Sequence, residues 1–543
     1  MDIETISITP FDGQKPGTSG LRKQTSVFEG EHYLESYLQA TFQGIGGAVG
    51  KTLILGGDGR YFNDRAAQTF LAMAAAEGVA RVIVGQNALL STPAASHLIR
   101  LRSADGGLIL SASHNPGGPE GDVGVKFNGA NGGPAPEAVT EKIYAATQGL
   151  TSYKIARAAP IDLRQLGETR LGDMVVEVVD PVADYAALMA ELFDFDAIAG
   201  LFASGFTLCF DAMHAVTGPY AKAILEDRLG AKPGSVINGV PLPDFGGGHP
   251  DPNPIWAHQL MGIMMGEDAP DFGAASDGDG DRNMILGRGI YVTPSDSLAV
   301  LAANATLAPA YQGGLKGLAR SMPSSGAVDR VAVGLGLDCY ETPTGWKFFG
   351  NLLDAGRATI CGEESAGTSS DHVREKDGLW AVLLWLNILA ERREPVSQIM
   401  EKHWRQYGRN YYTRHDYEAV DAGIAEVMVA ELRVKLPDLL GQEAAGLTIE
   451  QADEFAYRDP VDNSLSSNQG LRFSLEGGGR VVVRLSGTGT VGATVRIYLE
   501  RHETDPTQLD LDPQEALASV IAAAEDLTGL KARTGRMGPD VIT

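Results

Sequence analysis

The sequence contains few cysteines, which bears on where the protein works and how it is stabilised. Only Cys209, Cys339 and Cys361 occur among 543 residues, far apart and in no metal-like spacing. Secreted domains often rely on disulfide frameworks, and zinc sites need closely spaced cysteine or histidine ligands. Neither is indicated here, so we expect a reducing, cytoplasmic compartment.

Basic charge is also scarce. Lysine and arginine number 44 against 69 aspartates and glutamates, which leaves a net charge of −25. Such a field repels nucleic acid and anionic membranes unless the bases cluster strongly. We therefore expect no nucleic-acid or membrane partner, whereas an anionic substrate would require a local reversal of sign.

Long apolar runs are missing as well. The most apolar stretch, residues 379–390, contains Asn387 and is shorter than the roughly 20 residues that span a bilayer, so it predicts a buried helix. The amino terminus begins with acidic residues rather than with a basic segment before an apolar run. No secretory signal is therefore visible.

What the sequence does contain is typical of a large globular protein. Hydrophobic residues make up 44%, charged residues 21% and aromatic residues 7%. At about 150 residues per domain, the length allows three or four domains.

Strand-like and helix-like runs alternate over most of the first 400 residues. This rhythm predicts α/β domains whose mixed or parallel sheets are covered by helices. The predicted strands are Thr52–Gly56, Val79–Gly85, Gly107–Ser113, Phe206–Phe210, Val331–Leu337 and Ala358–Cys361. The predicted helices are Asp64–Glu77, Tyr220–Leu229 and Trp346–Ala355.

The rhythm changes after about residue 405. Strands joined by glycine-rich turns are predicted at Leu471–Leu475, Arg480–Leu485 and Val495–Leu499, and a helix at Pro513–Leu527. Consecutive strands with tight turns indicate an antiparallel sheet, hence a separate α+β domain.

Two glycine-rich segments resemble nucleotide-binding motifs without fitting them. The segment 46–52 ends in Gly-Lys-Thr, but Ile45 stands where a phosphate loop needs glycine and a strand follows where a helix is required. Gly487, Gly489 and Gly492 spell G-x-G-x-x-G, yet the residues that follow are β-prone. We interpret the first as a turn and the second as a hairpin.

The strongest metal signal is Asp277-Gly-Asp279-Gly-Asp281-Arg282. Carboxylates at alternate positions of a loop can converge on one divalent cation. A calcium EF-hand fails, because Arg282 occupies its glycine position and Arg288 its glutamate position. Magnesium serving a phosphoryl group fits better than calcium or a merely solvated acidic loop.

A serine lies just beyond a buried strand in the segment Leu110-Ser-Ala-Ser113-His114-Asn-Pro-Gly-Gly. A hydroxyl held in such a turn can act as a nucleophile or carry a phosphoryl group, although a plain serine turn is the alternative. Lys126 follows closely and could neutralise a phosphate. No G-x-S-x-G elbow surrounds Ser113, which argues against a serine-hydrolase triad.

Two further clusters suit anionic and polyhydroxyl ligands. Arg484-Leu-Ser486-Gly487-Thr488 and Arg496 flank one hairpin, where guanidinium groups, hydroxyls and glycine amides could cradle a phosphate. Gly362-Glu363-Glu364-Ser365 follows a predicted strand, where its carboxylates could accept hydrogen bonds from sugar hydroxyls. Alone, two glutamates would be a solvated turn.

Together and in this order, these four segments closely resemble the α-D-phosphohexomutase superfamily. Flanking segments narrow the resemblance to its glucose-type branch, the phosphoglucomutases. These are Lys15-Pro-Gly-Thr-Ser-Gly-Leu-Arg22, Thr342-Pro-Thr-Gly-Trp-Lys347, Asp371-His-Val-Arg-Glu-Lys376-Asp-Gly-Leu-Trp380 and Asp459-Pro-Val-Asp-Asn. The resemblance runs from about residue 15 to about residue 500, and departs from the pattern at residues 366–370 and near Asn463, away from the metal loop and the serine.

The resemblance implies three similar α/β domains and a C-terminal α+β domain, heart-shaped with a central cleft. The expected bounds are 1–176 with the phosphoserine loop, 177–292 with the metal loop, 293–408 with the sugar-binding loop and 409–543 with the phosphate-binding loop. The implied activity is the reversible conversion of glucose 1-phosphate to glucose 6-phosphate in carbohydrate metabolism. Mg²⁺ and glucose 1,6-bisphosphate are the implied cofactor and intermediate, and a monomer or weak homodimer is expected.

The resemblance also assigns roles to single residues. Ser113 would carry the phosphoryl group and, with Asp277, Asp279 and Asp281, bind the metal. His114, Lys126, His372 and Lys376 are open candidates for proton transfer, with Ser113, His114 and Lys126 expected as the catalytic set. Substrate contacts are expected from Thr18, Ser19, Arg22, Asp281, Arg282, Thr344, Glu363, Ser365, His372 and Lys376, and from the phosphate-binding residues Arg484, Ser486, Gly487, Thr488 and Arg496.

Two alternatives stay open on the sequence. One is a mutase that prefers mannose or glucosamine phosphates, against which only the resemblance of the Glu363 segment argues. The other is a phosphoprotein that binds sugar phosphates without turnover. A pure binder would need no phosphorylatable serine beside a metal loop.

Overall fold

The structure is a computed structural model that describes residues 1–17, 19–486 and 492–543. The chain forms two compact units. The first comprises Met1–Lys316 with Gly345–Ser397, and the second Gly317–Thr344 with Gln398–Thr543. Elements are numbered below in chain order.

The first part of the first unit is built on a seven-stranded sheet. Its order is β2-β6-β5-β3-β4-β9-β8, with β5, β3, β4 and β9 parallel and the outer strands antiparallel. The strands are β1 (Asp2–Ser7), β2 (Leu21–Gln24), β3 (Thr52–Gly57), β4 (Arg81–Leu89), β5 (Gly106–Leu110), β6 (Asp122–Gly129), β7 (Ser152–Arg157), β8 (Gly167–Leu171) and β9 (Met174–Val179), and the helices are α1 (Thr25–Phe28), α2 (Tyr33–Gly44), α3 (Asn63–Ala76), α4 (Thr92–Leu101) and α5 (Glu137–Gly149). β1 and β7 pair separately.

Apart from Thr52, β3 and β5 consist of leucine, isoleucine and glycine, and β5 is buried throughout. Strands covered on both faces by helices need this composition. The alternating rhythm of the sequence therefore predicted the mixed sheet correctly, with element bounds within a few residues.

A five-stranded mixed sheet follows, in the order β11-β10-β12-β13-β14. β10 is parallel to β11 and β12, whereas β12, β13 and β14 are successively antiparallel. The elements are α6 (Ala183–Leu192), α7 (Phe195–Ala203), β10 (Leu208–Asp211), α8 (Thr217–Ala221), a π-helix (Lys222–Arg228), β11 (Val236–Ile237), α9 (His258–Met264), β12 (Phe272–Ser276), β13 (Asn283–Gly287) and β14 (Ile290–Val292). The helix predicted over 220–229 is thus α8 continued by a π-helical turn.

The third stretch of elements contributes to both units. These elements are α10 (Pro294–Asn304), β15 (Leu318–Ser321), α11 (Ala327–Leu335), β16 (Cys339–Thr342), α12 (Trp346–Asp354), β17 (Ile360–Gly362), β18 (Thr368–Ser370), α13 (Gly378–Arg392) and α14 (Val396–Tyr407). β15 and β16 are parallel in the second unit, and β17 and β18 are antiparallel in the first. α13 is buried along most of its length, which confirms the buried helix predicted over 379–390.

The strand predicted at Val331–Leu337 is wrong. Those residues belong to α11, whose buried side chains Val328, Val331 and Ala332 recur at helical spacing while Val333 is 82% exposed. The valines suggested a strand, but the i, i+3, i+4 period decides the element. The strands of this region are β15 and β16 instead.

The C-terminal part of the second unit contains an antiparallel seven-stranded sheet. Its order is β20-β21-β24-β25-β26-β19-β27. The elements are β19 (Arg409–Val420), α15 (Ala422–Leu439), β20 (Glu443–Ala444), β21 (Leu447–Glu454), β22 (Tyr457–Arg458), β23 (Leu465–Ser466), β24 (Leu471–Leu475), β25 (Gly479–Ser486), β26 (Ala493–Glu503), α16 (Pro513–Ala516), α17 (Ala518–Thr528), α18 (Leu530–Thr534) and β27 (Val541–Ile542). The predicted α+β character is confirmed, and the predicted C-terminal helix is split into α16 and α17.

Within the described ranges, no helix combines the length and apolar character needed to cross a membrane. Cys209 and Cys361 are buried and Cys339 is partly exposed, and within the described residues none of them forms a disulfide.

Candidate active site

Ser113 lies in a buried turn beyond the carboxyl end of β5. Its backbone adopts φ 54°, a left-handed conformation that costs an L-residue about 1–2 kcal/mol. The Ser113 N–H donates to Ser111 Oγ at 2.7 Å, and Ser113 Oγ donates to Asp277 Oδ2 at 2.7 Å. The turn therefore aims the hydroxyl at the acidic loop, 164 positions further along the chain.

The acidic loop joins β12 to β13. Asp277, Asp279 and Asp281 are buried, and one oxygen of each lies within 4.8 Å of the others. Asp277 Oδ1 accepts the N–H groups of Asp281 and Arg282 at 2.8 and 3.0 Å, which curls the loop back on itself. Asp279 Oδ1 and Asp281 Oδ1 are buried and have no hydrogen-bond partner in the part of the chain that the structure describes.

This arrangement fits a divalent cation. Buried carboxylate oxygens without donors carry a desolvation cost that a metal ion would relieve. Burial, followed by the charges of Asp281 and Asp279, raises the pKa of Asp277 well above its ordinary value. The donor set is all oxygen, as hard cations such as Mg²⁺ prefer. The three aspartates can thus hold a metal ion beside Ser113.

Two lysines neutralise this loop. Lys126 Nζ bonds to Asp279 Oδ2 and to Thr92 Oγ1, the latter at 3.2 Å. Lys376 Nζ lies 3.2 Å from Asp281 Oδ2. Burial opposes ionisation of Asp279, but Lys126 outweighs it and holds the pKa of that carboxyl below its ordinary value.

Two arginines add positive charge at the same place. Arg22 lies on β2 and pairs in register with Gly124 of β6. Arg282 Nη1 donates to Asp251 Oδ1 at 3.1 Å. Among the described residues the buried Nε atoms of Arg22 and Arg282 have no hydrogen-bond partner, which leaves donors for an anionic ligand.

The two candidate histidines differ in environment. Burial, reinforced by Arg282 and Arg22, lowers the pKa of His114 well below its ordinary value. No hydrogen-bond partner of its Nδ1 is found among residues 1–17, 19–486 and 492–543. His372 instead bonds through Nδ1 to Ser370 Oγ at 2.8 Å and through Nε2 to Asp377 Oδ2 at 3.0 Å. His372 is thus held in an internal network.

Glu363 follows β17, as its position after a predicted strand suggested. Its Oε1 accepts the Gly345 N–H at 2.9 Å, and its Oε2 lies 3.5 Å from Ser365 Oγ. Burial raises its pKa.

The remaining predicted residues are distributed as follows. Ser19 lies in the bend closed by the Gly17 N–H to Gly20 O hydrogen bond of 2.9 Å. Arg484 on β25 stands opposite Arg496 on β26 in the second unit, and Ser486 ends β25. Thr344, also in the second unit, has a buried hydroxyl to which no described residue is hydrogen-bonded. Thr18, Gly487 and Thr488 lie outside the described residues.

Sequence reasoning missed several groups of this site, namely the buried Asp58, Arg60, Thr92 and Glu375 and the partly buried Asp251. Asp58 directly follows β3, so its place at the carboxyl end of a parallel strand was a usable signal. The other four reach the site only because the fold brings distant segments together, and no local sequence pattern marks them.

Four family models match successive parts of the chain. They describe phosphoglucomutase/phosphomannomutase α/β/α domain I at residues 13–154, domain II at 183–289 and domain III at 294–407, and the C-terminal domain of phosphoglucomutase-1 at 409–540.

Similar proteins carry corresponding names. A phosphoglucomutase of Rhizobium radiobacter is 59% identical over the full length of both chains. A cytoplasmic phosphoglucomutase of Pisum sativum is 50% identical, over 100% of this chain and 99% of its own. The crystal structure of the exocytosis-sensitive phosphoprotein pp63/parafusin, a phosphoglucomutase from Paramecium, in its open form, has 47% identity and a TM-score of 0.93 over 100% of this chain and 99% of its own.

Proposed function

The chain belongs to the phosphoglucomutase/phosphomannomutase family, and we infer that it performs the reaction of a phosphoglucomutase, the reversible conversion of glucose 1-phosphate to glucose 6-phosphate. It is an isomerase of the intramolecular phosphotransferase class. The observation that carries the mechanism is the Ser113 hydroxyl, held 2.7 Å from Asp277 Oδ2 in a buried acidic loop.

Ser113 is proposed as the phosphoryl carrier. The phosphorylated serine gives its group to the free hydroxyl of glucose 1-phosphate, so the bond from Ser113 Oγ to phosphorus breaks and glucose 1,6-bisphosphate forms. The bisphosphate then reorients in the site and returns the phosphoryl group of its 1-position to Ser113 Oγ. The bond from that phosphorus to the sugar oxygen breaks, which releases glucose 6-phosphate. The fold restrains the serine, because its N–H and Oγ are both hydrogen-bonded.

Asp277, Asp279 and Asp281 would hold Mg²⁺ together with the Ser113 phosphate. When bound, Mg²⁺ would neutralise charge on the transferring phosphoryl group. The unpartnered Oδ1 atoms of Asp279 and Asp281 support this assignment. Further positive charge would come from Arg22, Lys126, Arg282 and Lys376. Phosphoryl transfer depends mainly on such charge and on positioning, and little on covalent chemistry by the protein.

Proton transfer is assigned to His114. Its lowered pKa keeps the ring neutral near pH 7, and its Nδ1 has no competing partner. Lys126 and Lys376 are paired with carboxylates, and both ring nitrogens of His372 are engaged. His372 would then hold Ser370 and Asp377 in place and would not contact the sugar.

Sugar and distal-phosphate recognition follow from the resemblance. Glu363, Ser365 and Thr344 would contact sugar hydroxyls. Thr18 and Ser19, which precede Arg22 in the sequence, would also contact the substrate. The non-reacting phosphate would bind to Arg484, Ser486, Gly487, Thr488 and Arg496. The proposed domain bounds remain 1–176, 177–292, 293–408 and 409–543.

Small-molecule hexose phosphates are the substrates of this family. We propose in addition a cytoplasmic protein, monomeric or weakly dimeric, without nucleic-acid or membrane partners. The net charge of −25 supports the last two points.

A coupled assay tests the function. Purified protein with Mg²⁺ and glucose 1,6-bisphosphate should form glucose 6-phosphate from glucose 1-phosphate, and Ser113→Ala should abolish turnover because no other hydroxyl occupies its place. Ser204→Ala, at the exposed C-cap of α7, should keep wild-type turnover and serves as the matched serine control. Absence of wild-type turnover, or full activity of Ser113→Ala, would refute the proposal. Comparison of kcat/KM with mannose and glucosamine phosphates defines the sugar preference.

A further inference from the structure

A buried ion pair lies beneath the phosphoserine turn. Arg60 Nε donates to Asp58 Oδ2 at 2.9 Å, and both side chains are fully buried. Removing two charges from water costs several kcal/mol per ion unless the geometry and additional hydrogen bonds compensate. Those additional hydrogen bonds identify what the pair supports.

The guanidinium group of Arg60 holds three carbonyl groups of one loop. Its Nη2 donates to Ser113 O at 2.7 Å, and its Nη1 donates to Asp122 O at 2.8 Å and Asn115 O at 3.3 Å. The guanidinium group of Arg60 therefore links the carbonyl of Ser113 to the beginning and the end of the loop that follows it, at Asn115 and Asp122. Lysine could not reproduce this fork, because its ammonium group is a single point of donation.

The carboxylate of the same pair reaches the other backbone group of the nucleophile. Ser111 Oγ donates to Asp58 Oδ2 at 2.6 Å and accepts the Ser113 N–H at 2.7 Å. The C=O of Ser113 is thus held directly by Arg60, and its N–H is held by Ser111, which Asp58 fixes. Since Ser113 adopts a left-handed conformation, it needs such support to remain there.

The metal loop packs on the same carbonyl. A Cβ placed on Gly278 would lie 2.4 Å from Ser113 O and 3.4 Å from Arg60 Nη2, so only glycine permits this approach. The position of Ser113 O relative to Arg60 therefore also sets how closely Asp277 approaches Ser113. The Phe245 ring, 5.2 Å from the guanidinium carbon, covers the cation from another side.

We propose that Arg60, together with Asp58 and Ser111, positions Ser113 for phosphoryl transfer, because these three side chains hold both backbone groups of Ser113 and thereby the hydroxyl that faces Asp277. The inference rests on the proposed role of Ser113 as phosphoryl carrier. Arg60 touches no reacting atom. It acts through the Ser113 turn, where a displacement of about 1 Å can cost about 100-fold in rate.

The test uses the full-length protein and three variants, Arg60→Lys, Ser111→Ala and Arg81→Lys. Arg81 at the start of β4 is the matched control, since it pairs with Glu168 and Glu177 at 2.6 Å in the same domain but away from the turn. Measured quantities are kcat and KM for glucose 1-phosphate with Mg²⁺ and glucose 1,6-bisphosphate, phosphate uptake at Ser113 by intact mass, and the thermal unfolding midpoint.

For Arg60→Lys we expect kcat, per molecule able to take up phosphate, to fall at least 30-fold while KM stays within threefold. Ser111→Ala should lose about tenfold in kcat, and Arg81→Lys should stay within twofold of wild type. A purely structural residue would lower the unfolding midpoint and the active fraction but leave kcat per active molecule unchanged.

If the wild type is active and Arg60→Lys has the same kcat per active molecule, the positioning role of Arg60 is refuted while the proposed function stands. If Arg60→Lys does not fold, Ser111→Ala decides, and an unchanged kcat there has the same consequence. A wild-type protein that neither turns over nor takes up phosphate would overturn the proposed function and this inference with it.

Discussion

At the scale of single residues, Glu375 is a buried acid whose ionisation links stability to pH. Its Oε1 accepts a hydrogen bond from Asn128 Nδ2 at 2.9 Å. Burial raises its pKa to about 7, against the opposing charge of Lys126. A carboxyl group that binds its proton more tightly when folded makes stability fall as pH rises from its unfolded pKa to its folded pKa.

Glu375→Gln should remove this dependence. The amide keeps an oxygen for Asn128 but cannot ionise, so the variant gains stability relative to wild type by about 2 kcal/mol between pH 5 and pH 8. Urea unfolding in metal-free buffer at both pH values measures the difference. Glu141→Gln, on the exposed face of α5, controls for loss of one carboxyl group, and parallel pH curves for wild type and Glu375→Gln would contradict the prediction.

At the scale of elements, the start of α13 is fixed by one buried carboxylate. Asp377 Oδ1 accepts the Trp380 N–H at 3.0 Å and the Tyr185 hydroxyl at 2.6 Å, and Oδ2 bonds to His372. The Gly378 N–H donates to Gly280 O at 3.0 Å, which attaches the helix to the metal loop. The cap therefore also places the neighbouring Lys376 beside Asp281.

Replacing this cap should cost far more than replacing an exposed one. Asp377→Ala leaves several buried donors unsatisfied, which predicts a loss of at least about 3 kcal/mol in unfolding free energy. Asp421→Ala, at the exposed N-cap of α15 where the side chain accepts from Ile424 N at 3.0 Å, should lose only about 1 kcal/mol. Denaturant unfolding compares the two, and equal losses would show that burial adds nothing to the cap.

At the scale of the whole molecule, a net charge of −25 coexists with a cluster of cations at the phosphoserine turn. Two of these cations, Lys126 and Lys376, pair with buried aspartates of the metal loop. The other two, Arg22 and Arg282, each keep a buried Nε donor that no described residue engages. The acidic excess thus lies elsewhere on the molecule, where its charges repel one another, while at the site the four cations offset the carboxylates of the metal loop. Bound Mg²⁺ would add the positive charge that an anionic substrate requires.

Salt should consequently stabilise the protein. The Debye length falls from about 30 Å at 0.01 M to about 10 Å at 0.1 M, which screens long-range repulsion. We expect the thermal midpoint to rise by about 2 °C between 10 and 150 mM NaCl. An uncharged osmolyte at equal osmolality is the control and should have a smaller effect. A fall in the midpoint would show that attractive ion pairs dominate instead.

Sequence by itself determined the features that are local. The glycine-spaced aspartates of residues 277–281 share one short loop, so their convergence follows from spacing alone. The buried α13 and the α/β rhythm follow from apolar runs and periodicity. The exception, α11, shows that valine-rich composition misleads when the period is helical.

Only the tertiary structure decided which loops meet. Ser113 and Asp277 are separated by 164 positions, and Lys126 and Asp279 by 153, so no local pattern links them. Arg60 reads in the sequence as one arginine after a turn, and its role under Ser113 appears only once β3 and β5 lie side by side. Sheet order, set by the burial of whole strands, brings these groups together, and that order depends on packing between distant segments.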